Sequence, residues 1–293
     1  SIGSISNIDV NSNTTQVIIL TPTRELTIQV HSVISKLSEF IKKLKIQTLY
    51  GGTSTNDDIL KLKEEVPHII VGCPGRTYDM MRRNNIVSKN IKMLVLDEAD
   101  EMLSSGFKDQ IYNIFSHLNK EVQLCLFSAT MPRELSNLTE QFMRDPVKIL
   151  VKSEMLTLEG IQQYYIALED DHTKYITLKD LYATISVSQC IVYCNSIKRV
   201  KELYEAMRED NFPVTTIHSN MEREDREEAY KQFKDGKYRV LISSNVTARG
   251  IDIQQVSTVI NFDVPRCVHT YLHRIGRSGR WGRKGVGINF VTQ

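Results

Sequence analysis

The residues best suited to chemistry are three acids, Asp97, Glu98 and Asp100, which follow the aliphatic run Met93-Leu-Val-Leu96. Carboxylates at the end of a buried strand can hold the water shell of Mg²⁺ and orient a water for phosphoryl transfer. The same acids suit the first turn of a helix, where the macrodipole favours negative charge. Taken alone, the acids leave those two readings even. About thirty residues on, Ser128-Ala129-Thr130 closes another aliphatic run, Gln123 to Phe127. Hydroxyls there can hold a phosphate or cap a helix. A third feature is basic. From Val264 to Gln293 there is no acid, and there are six cations: Arg266, Arg274, Arg277, Arg280, Arg283 and Lys284. On a helix, Arg274, Arg277 and Arg280 would share one face, and three cations on one face call for an anion, phosphate first. The bland reading is a solvated surface.

Smaller clusters punctuate the rest of the chain: Pro22-Thr23-Arg24, Gly51-Gly52, Pro74-Gly75-Arg76 and Ala248-Arg249-Gly250-Ile251-Asp252. Each follows a strand-like run and offers backbone N–H groups, a hydroxyl or an arginine. Such groups hold phosphates without reading bases.

These clusters need a scaffold that presents strand ends together. Short aliphatic runs recur at Val17–Leu20, His68–Val71, Met93–Leu96 and Gln123–Phe127, then at Cys190–Tyr193, Val214–Ile217, Val240–Ser243 and Val259–Phe262. Between them lie helical patterns, over Glu25–Leu44, Lys198–Asp210 and Arg223–Lys234. Ser1 to Thr15 reads as a polar loop. Strands alternating with helices predict α/β units with parallel sheets. The repetition predicts two such domains: residues 1–152, a linker at 153–158, and residues 159–293. Apolar residues make up 41% and charged residues 25%, at a net charge of +2, which is ordinary for a globular protein and argues against disorder. No aliphatic run approaches the roughly 20 residues of a membrane span. Five cysteines with no CxxC pair predict reduced thiols in a cytoplasmic or nuclear protein rather than a disulfide framework or a zinc site.

The ordered set PTREL, GG, PGR, DEAD, SAT, ARGID and HRIGRSGR resembles the DEAD-box ATP-dependent RNA helicases, over essentially the whole chain. Val147-Lys-Ile-Leu-Val-Lys, Leu156 to Ile161 and Gly282-Arg-Lys-Gly are most similar to the initiation factor 4A subgroup. The resemblance implies two RecA-like domains, with ATP between them and single-stranded or short duplex RNA across both. It implies that Asp97 holds Mg²⁺ through water and that Glu98 positions the hydrolytic water. Ser128, Thr130 and His273 would couple nucleotide state to RNA. Gly250 and Asp252 would meet ATP, and Arg277 and Arg280 would reach its γ-phosphate. RNA would be gripped by Pro22, Thr23, Arg24, Gly51, Gly52, Pro74, Gly75, Arg76, Asn195, Arg226 and Ser244. The implied partners are sequence-independent RNA and a HEAT-repeat scaffold of the initiation factor 4G type, with the protein a monomer away from membranes.

The chain departs from the family pattern in several places. No G-x-x-x-x-G-K-[ST] phosphate loop occurs in the 293 residues, and only 21 residues precede Pro22. This predicts a fragment of a longer protein, truncated at both ends and poorly active by itself. The alternative is a non-hydrolysing RNA-binding or scaffold module. A DNA-directed helicase is disfavoured by the motif set. Cys73 stands where the family has Thr, Ser244-Asn245 where it has Thr-Asp, and Arg223 where it has Gln.

Overall fold

The computed structural model describes residues 1–104, 106–150, 160–184, 189–245, 256–279 and 284–292. The chain divides into two compact units, Ser1–Ile149 and Leu150–Gln293. The expected linker, 153–158, lies outside the described residues.

The first unit contains strands β1 (Val17–Leu20), β2 (Ile46–Leu49), β3 (Ile69–Gly72), β4 (Met93–Leu96) and β5 (Gln123–Leu126). They form one sheet in the order β2-β3-β1-β4-β5, every pair parallel. Its helices are α1 (Ile2–Ser6), α2 (Arg24–Leu37), α3 (Thr55–Glu64), α4 (Pro74–Arg82), α5 (Ala99–Ser104), α6 (Lys108–His117) and α7 (Arg133–Phe142). β1, β3 and β4 are buried at every position, which is why they read as unbroken aliphatic runs. Side chains alternate between the two faces. Ile18, Leu20, Ile70, Leu94 and Leu96 pack with Met80, Met102, Ile111 and Leu138 from α4 to α7. Val17, Ile19, Ile69, Val71 and Val95 pack with Ile34 of α2 on the other face.

Two expectations fail here. Residues 1–15 are not all loop, since α1 forms over Ile2–Ser6 and brings Ile5 against the second face. The helix expected over Glu25–Leu44 stops at Leu37: past its cap Ser38 the backbone closes into turns, Ile41 N–H donating to the Ser38 carbonyl at 2.8 Å and Leu44 N–H to the Ile41 carbonyl at 3.0 Å. The apolar spacing past that point therefore lies in a turn and leaves Phe40 exposed. β2 escaped the aliphatic pattern because it is an edge strand, half-buried, with Gln47 and Thr48 in its middle.

The second unit contains β6 (Ile161–Leu168), β7 (Cys190–Tyr193), β8 (Val214–Ile217), β9 (Val240–Ser243), β10 (Thr258–Asn261) and β11 (Gly285–Thr292). Their order is β6-β11-β10-β7-β9-β8, again wholly parallel. The helices are α8 (Asp171–Thr184), α9 (Ile197–Glu209), α10 (Arg223–Lys234) and α11 (Val268–Ile275). Val192, Ile242, Ile260 and Phe290 face Leu178, Val200 and Met207 of α8 and α9. Ile191, Leu241 and Val259 face Phe233 and Ile275 of α10 and α11. β6 was missed in the sequence because its centre, Gln162 to Tyr165, is exposed and polar or aromatic. Among the described residues no helix is long and apolar enough to cross a membrane.

Candidate functional site

Because all strands of the first sheet are parallel, their carboxyl ends emerge on one edge of the layer. Ligands of open α/β sheets bind at such an edge. β1 delivers Pro22, Thr23 and Arg24; β2 delivers Gly51 and Gly52; β3 delivers Pro74, Gly75 and Arg76. β4 delivers Asp97 and Glu98, and β5 delivers Ser128 and Thr130. The strand order sorts these into two groups. The glycine, hydroxyl and arginine groups sit on β2, β3 and β1, and the acids and SAT hydroxyls sit on β4 and β5.

Asp97 follows β4 and is tied into the sheet by its N–H, which donates to the Leu20 carbonyl at 3.0 Å. Glu98 N–H donates to Asp97 Oδ1 at 3.1 Å. Burial pushes the Asp97 carboxyl above its ordinary range, and that one backbone hydrogen bond only partly opposes it. A desolvated carboxylate with hard oxygen donors fits a divalent cation held largely by water and phosphate. Among the described residues no group of three or more His, Cys, Asp or Glu is placed to hold a metal ion. Glu98 has φ +52°, the left-handed region that non-glycine residues seldom adopt. Such strain collects at functional positions, and here it turns the chain from β4 into α5.

The last acid of the motif joins β4 to β5. Thr130 Oγ1 donates to Asp100 Oδ2 at 2.5 Å. Asp100 N–H donates to Ser128 Oγ at 3.3 Å, and Ser128 Oγ donates to the Thr130 carbonyl at 2.7 Å. The two hydroxyls therefore tie the acid-bearing turn to the segment that leaves β5.

On the other half of the edge, Thr23 caps α2, accepting from Leu26 N–H at 3.2 Å. Arg24 lies over the Tyr50 ring, 5.2 Å from its centroid. Gly51 and Gly52 are exposed, with Gly52 at φ +87°. Pro74 opens α4 at a position where a missing N–H costs nothing. Cys73 is buried, and its Sγ meets the Thr27 hydroxyl at 3.5 Å. Pro22 and Pro74 are buried, so they shape the edge rather than offer side chains to a ligand.

In the second unit Asn195, Ser244 and Asn245 follow β7 and β9. A pocket of about 610 Å³ opens there, lined among others by Asn195, Arg199, Asn245, Asp263, Arg266 and Cys267. Arg199 bridges Asp171 at 2.8 Å and Asp263 at 2.8 Å, which keeps its guanidinium firmly charged. Arg226 on α10 donates to the Ser219 and Met221 carbonyls at 3.1 and 3.3 Å. His273 lies half-buried on α11, and Arg277 is buried in the turn after it. Gly250, Asp252 and Arg280 lie outside the described residues.

The arginine row is the clearest correction. α11 ends at Ile275, so Arg274 and Arg277 do not share a helix face. Arg274 has no exposed surface. Its guanidinium stacks over Tyr193, 5.1 Å from the ring centroid. It donates to Asn245 Oδ1 at 2.6 and 2.9 Å, Asn195 Oδ1 at 2.8 Å, Asn261 Oδ1 at 3.1 Å, and the Asp263 and Cys194 carbonyls at 2.8 and 3.4 Å. It therefore fastens the ends of β7, β9 and β10 together. Tyr193 is buried beneath it. Asn261 and Asp263 were missed because nothing local marks them, and Asn245, noted only as a departure from the family pattern, is defined by a side chain 29 positions away.

Comparison with known proteins gives a consistent picture. Residues 2–138 match the DEAD/DEAH box helicase family, and residues 173–282 match the helicase conserved C-terminal domain. The chain is 52% identical over 291 residues to eukaryotic initiation factor 4A of Cryptosporidium parvum, covering 99% of this chain and 71% of that protein. It is 48% identical over 292 residues to the ATP-dependent RNA helicase FAL1 of Mycosarcoma maydis, covering 73% of that protein. Among solved structures it is similar to Saccharomyces cerevisiae Dbp5 bound to RNA and ADP BeF3. The TM-score there is 0.88 at 31% identity, covering 99% of this chain and 74% of the other.

Proposed function

Since the chain belongs to the DEAD-box family of ATP-dependent RNA helicases, of the initiation factor 4A type, we propose that the protein is an RNA-stimulated ATPase that separates short duplexes locally. The observation that carries this reading is the sorting of the first sheet's edge. The glycine, hydroxyl and arginine clusters follow β2, β3 and β1, and the acids and SAT hydroxyls follow β4 and β5 of the same sheet, which supports assigning RNA to the first group and hydrolysis to the second.

Asp97 is the residue that would hold Mg²⁺ through water, and the ion would screen the phosphates of ATP. Glu98, presented by its left-handed backbone, orients the water that attacks the γ-phosphorus as the bond to the ADP oxygen breaks. Arg277 and Arg280 stabilise charge on the departing phosphoryl group, where such arginines are worth about 10³–10⁵ in rate. Gly250 and Asp252 hold the nucleotide. Ser128 and Thr130, bonded to Asp100, transmit the state of the acid turn toward the RNA half, and His273 acts with them. Thr23, Arg24, Gly51, Gly52, Gly75, Asn195, Arg226 and Ser244 hold sugar and phosphate, so binding is indifferent to sequence and sensitive to salt. The family resemblance supports a monomer, cytoplasmic or nuclear, that works on RNA with a HEAT-repeat scaffold.

The test is RNA-stimulated phosphate release by the longest natural chain containing these residues, with Glu98→Gln as control. Stimulation that disappears in the variant supports the reading. Retained RNA binding without hydrolysis would replace it with a non-hydrolysing clamp.

A further inference from the structure

Arg76 belongs to the RNA-side cluster by sequence, yet its guanidinium is directed into the protein. It forms an ion pair with Asp58 on α3, and the two side chains are only 11% and 8% exposed. Its Nη1 donates to Thr53 Oγ1 at 3.2 Å, and its Nη2 donates to the Thr53 carbonyl at 2.8 Å. Thr53 is the residue after Gly51-Gly52. Its hydroxyl also reaches back to the Tyr50 carbonyl at 3.0 Å and lies 3.3 Å from Asp58 Oδ2, closing the turn from behind. One residue on, Ser54 caps α3 by accepting from Asp57 N–H at 3.3 Å.

The two glycines are left facing open space. A Cβ at either would have no heavy atom within 4 Å. Two adjacent glycines have more backbone freedom to lose than any other pair. A turn made of them offers ordered N–H groups to a phosphate only if its flank is fixed. The Arg76–Asp58 pair supplies that fixing, and being neutral as a pair it adds little net attraction for RNA.

Resting on the reading that Gly51-Gly52 grips RNA, we infer that Arg76 is a positioning residue. It acts with Asp58 through Thr53 to hold the glycine turn in its binding shape, and it does not itself contact a phosphate.

Two roles for Arg76 predict opposite outcomes, measurable as affinity for a labelled oligouridylate across a salt series. The chains compared are wild type, Asp58→Leu, Arg76→Met and the double variant. The double variant leaves no unpaired buried charge and is the one expected to stay folded if a single variant does not. Positioning predicts that every folded variant loses about tenfold in affinity, the counterpart of one charge-assisted hydrogen bond. It also predicts that the double loses no more than a single, and that the salt slope is unchanged. Direct contact predicts that Arg76→Met flattens the slope by about 0.7, one phosphate's worth for a single strand. It further predicts that Asp58→Leu, which frees the arginine, binds as tightly as wild type or tighter. Either of these results overturns the inference, as does a double variant that binds like wild type. Wild type that fails to retain RNA would refute the parent reading, and the inference with it.

Discussion

Replacing Arg274 by lysine keeps the charge and most of the volume but removes the fork. The guanidinium makes six hydrogen bonds to five oxygens, using Nε, Nη1 and Nη2. An ammonium has three donors on one atom and cannot reach oxygens spread around a planar group. Two or more of those oxygens lose their partner inside the protein. At about 1.5–3 kcal/mol for a hydrogen bond to a charged group, a loss of roughly 3–5 kcal/mol follows. For a domain of this size each kcal/mol moves the melting temperature by about 2–4 °C, so Arg274→Lys should lower the second unit's transition by roughly 6–20 °C. Scanning calorimetry of the full chain reads this directly, and the first unit's transition should stay in place. RNA affinity, measured below the transition, should fall because Asn195 loses its anchor, while the salt slope stays as in wild type. If the variant melts within about 2 °C of wild type, the fork is not what joins β7, β9 and β10. If the salt slope drops instead, Arg274 faces an anion after all.

Four further outcomes follow from the geometry. Burial raises the Asp97 carboxyl above its ordinary value of 3.8, so the folded state holds a proton that the unfolded state has already released. Stability is therefore lost as pH rises from 3.8 through the folded value. Asp97→Asn, free of nucleotide, should melt higher than wild type at neutral pH by about 1.4 kcal/mol for each tenfold of tighter proton binding, with the difference gone below pH 3.8. Burial, and then Lys45, hold His68 below the ordinary 6.5, and its Nδ1 accepts from Lys45 N–H at 3.0 Å. Its neutral form is the folded one, so stability should fall as pH drops below 6.5. His68→Gln should flatten that limb in melts recorded against pH. Gly72→Ala places a Cβ 2.5 Å from Thr77 Oγ1 and 2.7 Å from the Leu49 carbonyl, and should cost about 1–3 kcal/mol in denaturant titration. Gly75→Ala, whose Cβ would meet nothing nearer than Phe107 at 4.0 Å, should fold normally. Any RNA-binding loss it shows then belongs to the surface. A Gly75→Ala chain that unfolds early would contradict that separation.

Much of the architecture was legible because buried parallel strands have no polar alternation. β1, β4, β7, β8 and β9 coincide with aliphatic runs, and motifs fall just after them because the chain must turn there. β2 and β6 were not legible because, unlike β8 at the other edge of its sheet, they carry polar or exposed side chains through their centres. The motifs also fell on the turns that leave β4 and β5, since Asp97, Glu98, Ser128 and Thr130 follow directly where those strands end.

Composition and motif order thus determined the fold class, the family and which strand ends bear the chemistry. Tertiary structure decided which arginines face outward. Asp58 lies 18 residues before Arg76, and Asn245 lies 29 before Arg274, so no local spacing announces either partnership. A guanidinium in sequence is a charge available to any anion. Once folding removes it from water, it must bond to whatever oxygens the packing brings within reach, and those bonds set its role.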